Sequence, residues 1–107
     1  MHNCTINRER VDYLLKSAKY IAGEAIGELH ESHGGYWNTI RNKIIPCLII
    51  LLERIRDQFY YWNPQNDAKI AEVSLVIKAL EELRNSNPDL NDQVIKPLEL
   101  VINFKSE

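Results

Sequence analysis

Apolar residues recur every three or four positions along most of the chain, and this spacing restricts the fold more than any other feature of the sequence. Positions three or four apart share one face of an α-helix, whereas a strand face repeats every two residues. The pattern is first seen at Val11, Leu15, Ala18, Ala22, Ala25 and Leu29. No stretch alternates with a period of two. The sequence therefore predicts an all-α protein.

Four apolar stripes of this kind are separated by short turns rich in Gly, Asn and Pro. The first predicted helix follows a cap at Thr5 or Asn7 and ends at Gly34–Gly35, where a left-handed cap is favoured. Short turns between amphipathic helices are typical of an antiparallel four-helix bundle. We therefore expect residues 1–107 to form a single domain, with a loose N-terminus at residues 1–6.

The third and fourth predicted helices occupy the last third of the chain. The third begins near Asp67, and its apolar positions are Ile70, Val73, Ile77, Leu80 and Leu83, widened by Leu75, Val76 and Ala79. The fourth begins at Pro88 or Asn91 and ends near Phe104, with apolar positions at Leu90, Val94, Leu98, Val101 and Ile102. Proline removes a helical hydrogen bond, so Pro97 either kinks this helix or begins a second short one.

The second predicted helix is long, apolar and interrupted by Pro46. Its stripe consists of Trp37, Ile40, Ile44, Leu48, Leu51, Ile55, Phe59 and Trp62. Because the phase continues past the proline, we expect either one helix kinked over residues 42–46 or a break with a new helix starting at Pro46. Residues 44–52 are apolar on almost every side, which predicts the central helix of the bundle. Cys47 within this run is expected to be buried.

Composition and charge narrow the class of protein. The chain is 45% hydrophobic and 26% charged, as globular domains are. Residues 1–62 carry eight basic and seven acidic side chains and residues 63–107 carry five and eight, so neither part has the basic excess typical of nucleic-acid binding. The longest apolar run has nine residues, far short of the roughly 20 that span a membrane. Two cysteines and no signal-like N-terminus favour the cytoplasm, although a viral or phage protein would look the same.

Catalytic and metal-binding motifs are not evident in the sequence. His30 and His33 are three apart, but zinc sites need three or four protein ligands, and Glu24, Glu28 and Glu31 do not follow the di-iron pattern. No phosphate-binding loop, dinucleotide motif or nucleophile elbow occurs. We expect a protein that is not an enzyme and has no cofactor.

The stretch "YWNTIRNKIIP", residues 36–46, resembles a helix of HEPN-type ribonucleases and their antitoxin-paired relatives. Their motif is Arg-Asn followed by a His four to six residues after the Arg. Arg41 and Asn42 match, but Pro46 stands where the His is expected. The resemblance covers about ten of the 107 residues. It implies, as an alternative function, RNA or nucleotide binding at Arg41, Asn42 and Lys43 without the catalytic His.

Four consecutive aromatic residues, 59–62, end the second predicted helix. Consecutive helical residues point about 100° apart, so these four cannot all face one core. The stripe assigns Phe59 and Trp62 to the core and leaves Tyr60 and Tyr61 pointing sideways or outward. Exposed aromatic residues are enriched at binding hot spots. We therefore predict a partner-binding surface comprising Tyr60, Tyr61, Arg56 and Trp37.

The function expected from these features is binding to another macromolecule, most simply a protein, in an inhibitor, immunity or antitoxin-like, or adaptor role. A homodimer is also expected, because the first helix has small residues at its centre, including Gly23 and Gly27, and the second has more apolar positions than one core needs. Within the chain, the glycines would require a neighbouring backbone or bulky side chain at close range.

Overall fold

A computed structural model describes the backbone of residues 2–32, 36–62, 67–86 and 91–106, and the side chains of residues 8–31, 36–61, 67–86 and 93–106. Within these ranges the chain forms four helices and no strand. Helix α1 is His2–Ser32. Three consecutive segments, Trp37–Thr39, Ile40–Ile44 and Ile45–Trp62, follow one another without interruption and together form α2, residues 37–62. Helix α3 is Asp67–Asn85 and helix α4 is Asn91–Asn103.

Contacts near the helix ends show how the four helices are arranged. Lys69, in the first turn of α3, donates a hydrogen bond to the carbonyl oxygen of Lys105, just after α4. The Ser106 hydroxyl lies 3.4 Å from a carboxylate oxygen of Asp12, in the first half of α1. Each helix packs against the next in sequence, and α4 packs against α1. The bundle measures 48 × 20 × 20 Å. The predicted all-α, antiparallel four-helix bundle is confirmed.

The core follows the predicted stripes closely in three helices. All six predicted positions of α1 are buried, and Leu14 is buried beside them. In α3 the five stripe positions and Val76 are buried, but Leu75 is 68% exposed. The prediction for Leu75 was wrong because it lies two residues from both Val73 and Ile77, on the opposite side of the helix. In α4 the predicted Val94, Leu98 and Val101 are buried, Ile102 is only half-buried, and Leu90 lies outside the described residues.

Helix α2 accommodates Pro46 with a π-helical segment over Ile40–Ile44. The Ile45 N–H donates to the Ile40 carbonyl, five residues earlier rather than four. Proline has no N–H, and its ring crowds the carbonyl four residues before it, so a widened turn at this point relieves the conflict. The predicted disturbance near Pro46 is therefore present, but the helix is not divided in two. Pro97 likewise lies inside a single helix, α4.

The π-helical segment changes which residues of α2 face the core. A π-turn places one extra residue in the helix, so the buried face after it is displaced by one position. Ile45 and Leu52 are fully buried, whereas the predicted Ile44 and Leu51 are only half-buried. Cys47 is exposed, not buried as predicted. The predictions for Ile44 and Leu51 were wrong because they assumed a regular helical period through residues 40–44, and the prediction for Cys47 was wrong because it rested only on the apolar run around it. Leu48, Ile55 and Phe59 of the predicted stripe are buried.

The glycines of α1 also differ from expectation. Gly23 and Gly27 lie on the exposed side of the helix, and a Cβ added at either would meet no atom within 4 Å. Among the described residues, neither glycine has the expected close neighbour, and the small residues of this helix that are buried are Ala18, Ala22 and Ala25. These alanines fill the intramolecular core and are not available as a seam for a second chain.

Helix α1 begins earlier in the chain than the sequence predicted. The helix begins at His2, before the expected caps at Thr5 and Asn7, and includes residues that were expected to be loose. Residues 2–6 contain neither Gly nor Pro, so no helix breaker stands in this stretch.

The predicted helix end at Gly34–Gly35, and the side chain of Trp62, lie outside the described residues. No helix of the described ranges is both long enough and apolar enough to cross a membrane.

Candidate protein-binding surfaces

The last turns of α2 separate the aromatic residues into a buried and an exposed group. Phe59 is buried, while Tyr60 is 52% exposed and Tyr61 is 75% exposed. Phe59 follows Leu52 and Ile55 at helical spacing, and the next two residues are rotated away from that face by about 100° and 200°. Tyr60 and Tyr61 therefore present two rings to solvent from adjacent sides of the same helical turn, as the sequence predicted.

Arg56 lies one helical turn before Tyr60, on the side of α2 that faces α3. It is half-buried, and its Nη1 donates a hydrogen bond of 3.3 Å to the Ser74 hydroxyl of α3. Residues four apart share a helix face, so Arg56 and Tyr60 form one continuous strip at the α2–α3 boundary. The hydrogen bond orients the guanidinium group along this boundary.

Trp37 does not belong to the same surface. It begins α2 and Tyr60 is near its other end, about 35 Å away at 1.5 Å per residue. The indole ring is half-buried and packs against the core. Its Nε1 is buried and has no hydrogen-bond partner among the described residues. The structure thus brings together Tyr60, Tyr61 and Arg56 but separates them from Trp37.

The three residues of the alternative nucleic-acid site lie in the π-helical segment. Arg41 is half-buried, and Asn42 and Lys43 are exposed. Helical residues this close in sequence fan outward around one turn, so the amide and ammonium groups of Asn42 and Lys43 reach solvent on the outside of α2. Pro46, at the position expected for His, supplies no acid or base.

Helix α1 carries a second aromatic surface, which the sequence reasoning missed. Tyr13 is 65% exposed and Tyr20 is 68% exposed. Together with Lys16, Ser17 and Ile21 they line a shallow groove of about 490 Å³ along the outside of the helix. The spacing of the two tyrosines predicts this surface. They are seven residues apart and out of phase with the buried stripe, so they share the opposite face of the helix.

A third exposed apolar region lies between α3 and α4. Leu75 and Leu100 project from the two helices over a groove of about 210 Å³ that also includes Val76 and Phe104. In a bundle whose helices contact their neighbours in sequence, the α3–α4 pair lies across the molecule from the α1–α2 pair. This groove is therefore on the side opposite the tyrosines of α1.

Ionisable groups are distributed over the surface. Among the described side chains, no polar or charged residue is buried in the core. A hydrogen bond and charge interaction with Glu24 raise the pKa of the Tyr20 hydroxyl above its ordinary value, because ionisation would place two negative charges side by side. No group of three or more His, Cys, Asp or Glu side chains in the described ranges is arranged to hold a metal ion.

The chain was compared with models of known protein families, with curated proteins and with solved structures, and no match was found in any of the three comparisons. The resemblance of residues 36–46 to HEPN-type ribonucleases therefore rests on the residues of that stretch alone.

Proposed function

We propose that this chain acts by binding another protein through the end of α2, as an inhibitor, antitoxin-like protein or adaptor in the cytoplasm. The observation that supports the proposal is the exposure of Tyr60 and Tyr61 beside the buried Phe59. Tyrosine provides a large contact area with few rotatable bonds, and it is enriched among residues that dominate binding energy. Two such side chains on one helical turn present an aromatic anchor for a partner.

Arg56 adds a polar element to this surface. Its hydrogen bond to Ser74 restricts the guanidinium group before any partner arrives, which lowers the entropy lost on binding. Arginine can stack on an aromatic ring or pair with a carboxylate of a partner. The proposed site is therefore an aromatic pair bordered by an oriented cation, with Trp37 excluded by its distance.

The proposal is tested by comparing capture of partners by the wild-type protein and by the double variant Tyr60→Ser/Tyr61→Ser. Captured proteins are identified from the native host by mass spectrometry, and the affinity of a purified candidate is then measured by calorimetry. We expect the double variant to lose at least tenfold in affinity, since hot-spot tyrosines contribute about 2 kcal/mol or more. Arg56→Ala should weaken binding as well.

Two controls separate loss of binding from loss of folding. Leu75→Ser removes an apolar side chain that is about as exposed but belongs to the groove between α3 and α4, and it should leave the affinity unchanged. Phe59→Ala should destabilise the isolated fold by roughly 3–5 kcal/mol, whereas the tyrosine variant should remain as stable as the wild type. A folded tyrosine variant with unchanged affinity for the captured protein would sink the proposal.

The alternative is RNA or nucleotide binding at the π-helical segment, supported by the exposure of Asn42 and Lys43 next to Arg41. Cations and amides on one turn can contact phosphate groups. Filter binding of labelled RNA by the purified protein, weakened by Arg41→Ala and by added salt, would favour this alternative. RNA cleavage abolished by the same substitution would overturn the expectation that the protein is not an enzyme.

A further inference from the structure

The outer face of α1 differs in bulk between its two halves. Its first half carries the exposed side chains of Tyr13, Lys16 and Tyr20. Its second half has Gly23 and Gly27 on the same exposed side, with nothing within 4 Å of where a Cβ would be. Glycine inside a helix costs about 1 kcal/mol relative to alanine. No contact within the described chain accounts for glycine at either position.

The two halves of α1 also differ in charge. Residues 8–19 carry four basic side chains (Arg8, Arg10, Lys16 and Lys19) and two acidic ones (Glu9 and Asp12). Residues 20–31 carry three acidic side chains (Glu24, Glu28 and Glu31) and no Lys or Arg. All of these are exposed except Lys19, which is half-buried. The first half of α1 is therefore net positive and the second half net negative.

This distribution does not serve the stability of α1 itself. The helix dipole favours acidic residues at the N-terminal end and basic residues at the C-terminal end. The first turn has no acidic residue, and Glu31 lies in the last turn. Arg41 and Lys43, at the same end of the bundle as Glu28 and Glu31, offset part of the negative charge from within the chain. However, Arg41 and Lys43 lie at the start of α2. The outward charges of Lys16 and Glu24, on α1, have no such counterpart on the described part of α2.

We propose that two copies of this chain associate through the outer faces of α1, with the two helices antiparallel about a two-fold axis near the middle of the helix. With the axis near Tyr20, the positive half of each helix faces the negative half of the other, Lys16 is opposite Glu24, and Tyr13 of one copy lies over Gly27 of its partner, while the two Tyr20 side chains meet at the axis. A parallel pair would instead place Lys16 against Lys16, Glu24 against Glu24 and Tyr13 against Tyr13. Both charge and shape therefore select the antiparallel orientation.

The dimensions of the molecule are sufficient for such a dimer. The long face measures 48 by 20 Å, while a standard interface buries about 800 Å² per partner. A two-fold arrangement is closed and self-complementary, so it stops at two copies. Glu9 and Glu31 face each other at the margins when the axis passes near Tyr20, but exposed charges at an interface margin are screened by solvent and salt. This inference is independent of the proposed site at the end of α2.

Charge reversal tests the orientation directly. The variant Lys16→Glu/Lys19→Glu makes both halves of α1 negative, and Glu24→Lys/Glu28→Lys makes both halves positive. We expect wild-type protein to sediment at twice the chain mass of 12.5 kDa, and each double variant alone at the single chain mass. An equimolar mixture of the two variants should dimerise again, because both halves are then complementary. The variant with all four substitutions in one chain should dimerise on its own.

Two further variants address the contact itself. Tyr20→Ser should weaken the dimer at least tenfold, while Leu75→Ser, at an equally exposed position on the opposite side, should not change it. Circular dichroism establishes that each variant is folded. A wild-type monomer over a hundredfold range of concentration overturns the proposal, as does a dimer that survives both single-half reversals. Partner capture that depends on Tyr60 and Tyr61 can persist in either case, so the two proposals fail separately.

Discussion

At the scale of single residues, the side of α1 on which a small residue lies determines what it does. Ala18, Ala22 and Ala25 are buried and permit close packing of the neighbouring helices. Gly23 and Gly27, in the same stretch, are exposed, and no atom of the described residues lies within 4 Å of where their Cβ would be. A small residue in the core is needed for the close packing of its neighbours. A glycine that faces solvent has no such role and only lowers the helix propensity. The two kinds of position should therefore respond in opposite ways to substitution.

We predict that Gly23→Ala and Gly27→Ala each raise the free energy of unfolding by up to about 1 kcal/mol, because alanine adds helix propensity and restricts the unfolded chain. The measurement is urea denaturation at a protein concentration low enough for the monomer. Ala22→Gly, at a buried position, is the matched control and should lower the stability. Destabilisation by the two alanine substitutions would show that a neighbouring atom occupies the space beside these glycines.

At the scale of the helices, the π-helical segment sets the rotation about the helix axis of the α2 residues that follow it. Ile40 and Ile45, five residues apart, are both fully buried, although a regular helix would place such residues about 140° apart. The segment thus acts as a one-residue insertion that keeps the first turn and the rest of α2 facing the same core. Removing one residue there should restore a regular helix without changing either buried face.

We predict that deletion of Asn42 together with Pro46→Ala gives a folded protein, because the proline no longer requires the widened turn. The same Pro46→Ala substitution with deletion of Arg54, an equally exposed residue in regular helix, should not fold, since the deletion rotates Ile55 and Phe59 out of the core by about 100°. Circular dichroism and cooperative thermal unfolding distinguish the two. Loss of folding in both proteins would mean that the π-helical segment is not equivalent to an insertion.

At the scale of the whole molecule, a residue outside the helices closes the bundle. Phe104, one position after α4, is buried, and the Lys69 ammonium group of α3 lies 4.9 Å from the centre of its ring. The adjoining residues are held by the hydrogen bond from Lys69 to the Lys105 carbonyl and by the contact of Ser106 with Asp12. The segment after α4 therefore connects α3, α4 and α1 at one end of the molecule.

Replacing Phe104 by Ala should lower the free energy of unfolding by roughly 3–5 kcal/mol, because it removes a buried ring from the junction of three helices. Lys69→Met removes the charge over the ring but keeps most of the apolar stem, and it should cost about 1 kcal/mol or less. Chemical denaturation of both variants measures the difference. Equal effects of the two substitutions would contradict the assignment of Phe104 as the principal contact.

The sequence by itself determined the number of helices, their approximate bounds and most of the core of α1, α3 and α4. These follow from backbone geometry, because a helix repeats every 3.6 residues whatever packs against it. The separation of buried Phe59 from exposed Tyr60 and Tyr61 follows from the same periodicity. Each of these features can be read from residues close together in the chain, so no knowledge of the neighbouring helices was needed.

Only the tertiary structure decided that Ile45 and Leu52, rather than Ile44 and Leu51, are fully buried in α2, and which predicted site residues meet. The π-helical segment forms where the proline and the packing of both parts of α2 against one core must be satisfied together, and that balance involves three other helices. Arg56 meets Ser74, eighteen residues away, because α2 and α3 are antiparallel neighbours. Trp37 lies apart from Tyr60 because a helix is straight, and proximity along one helix ends after a turn or two.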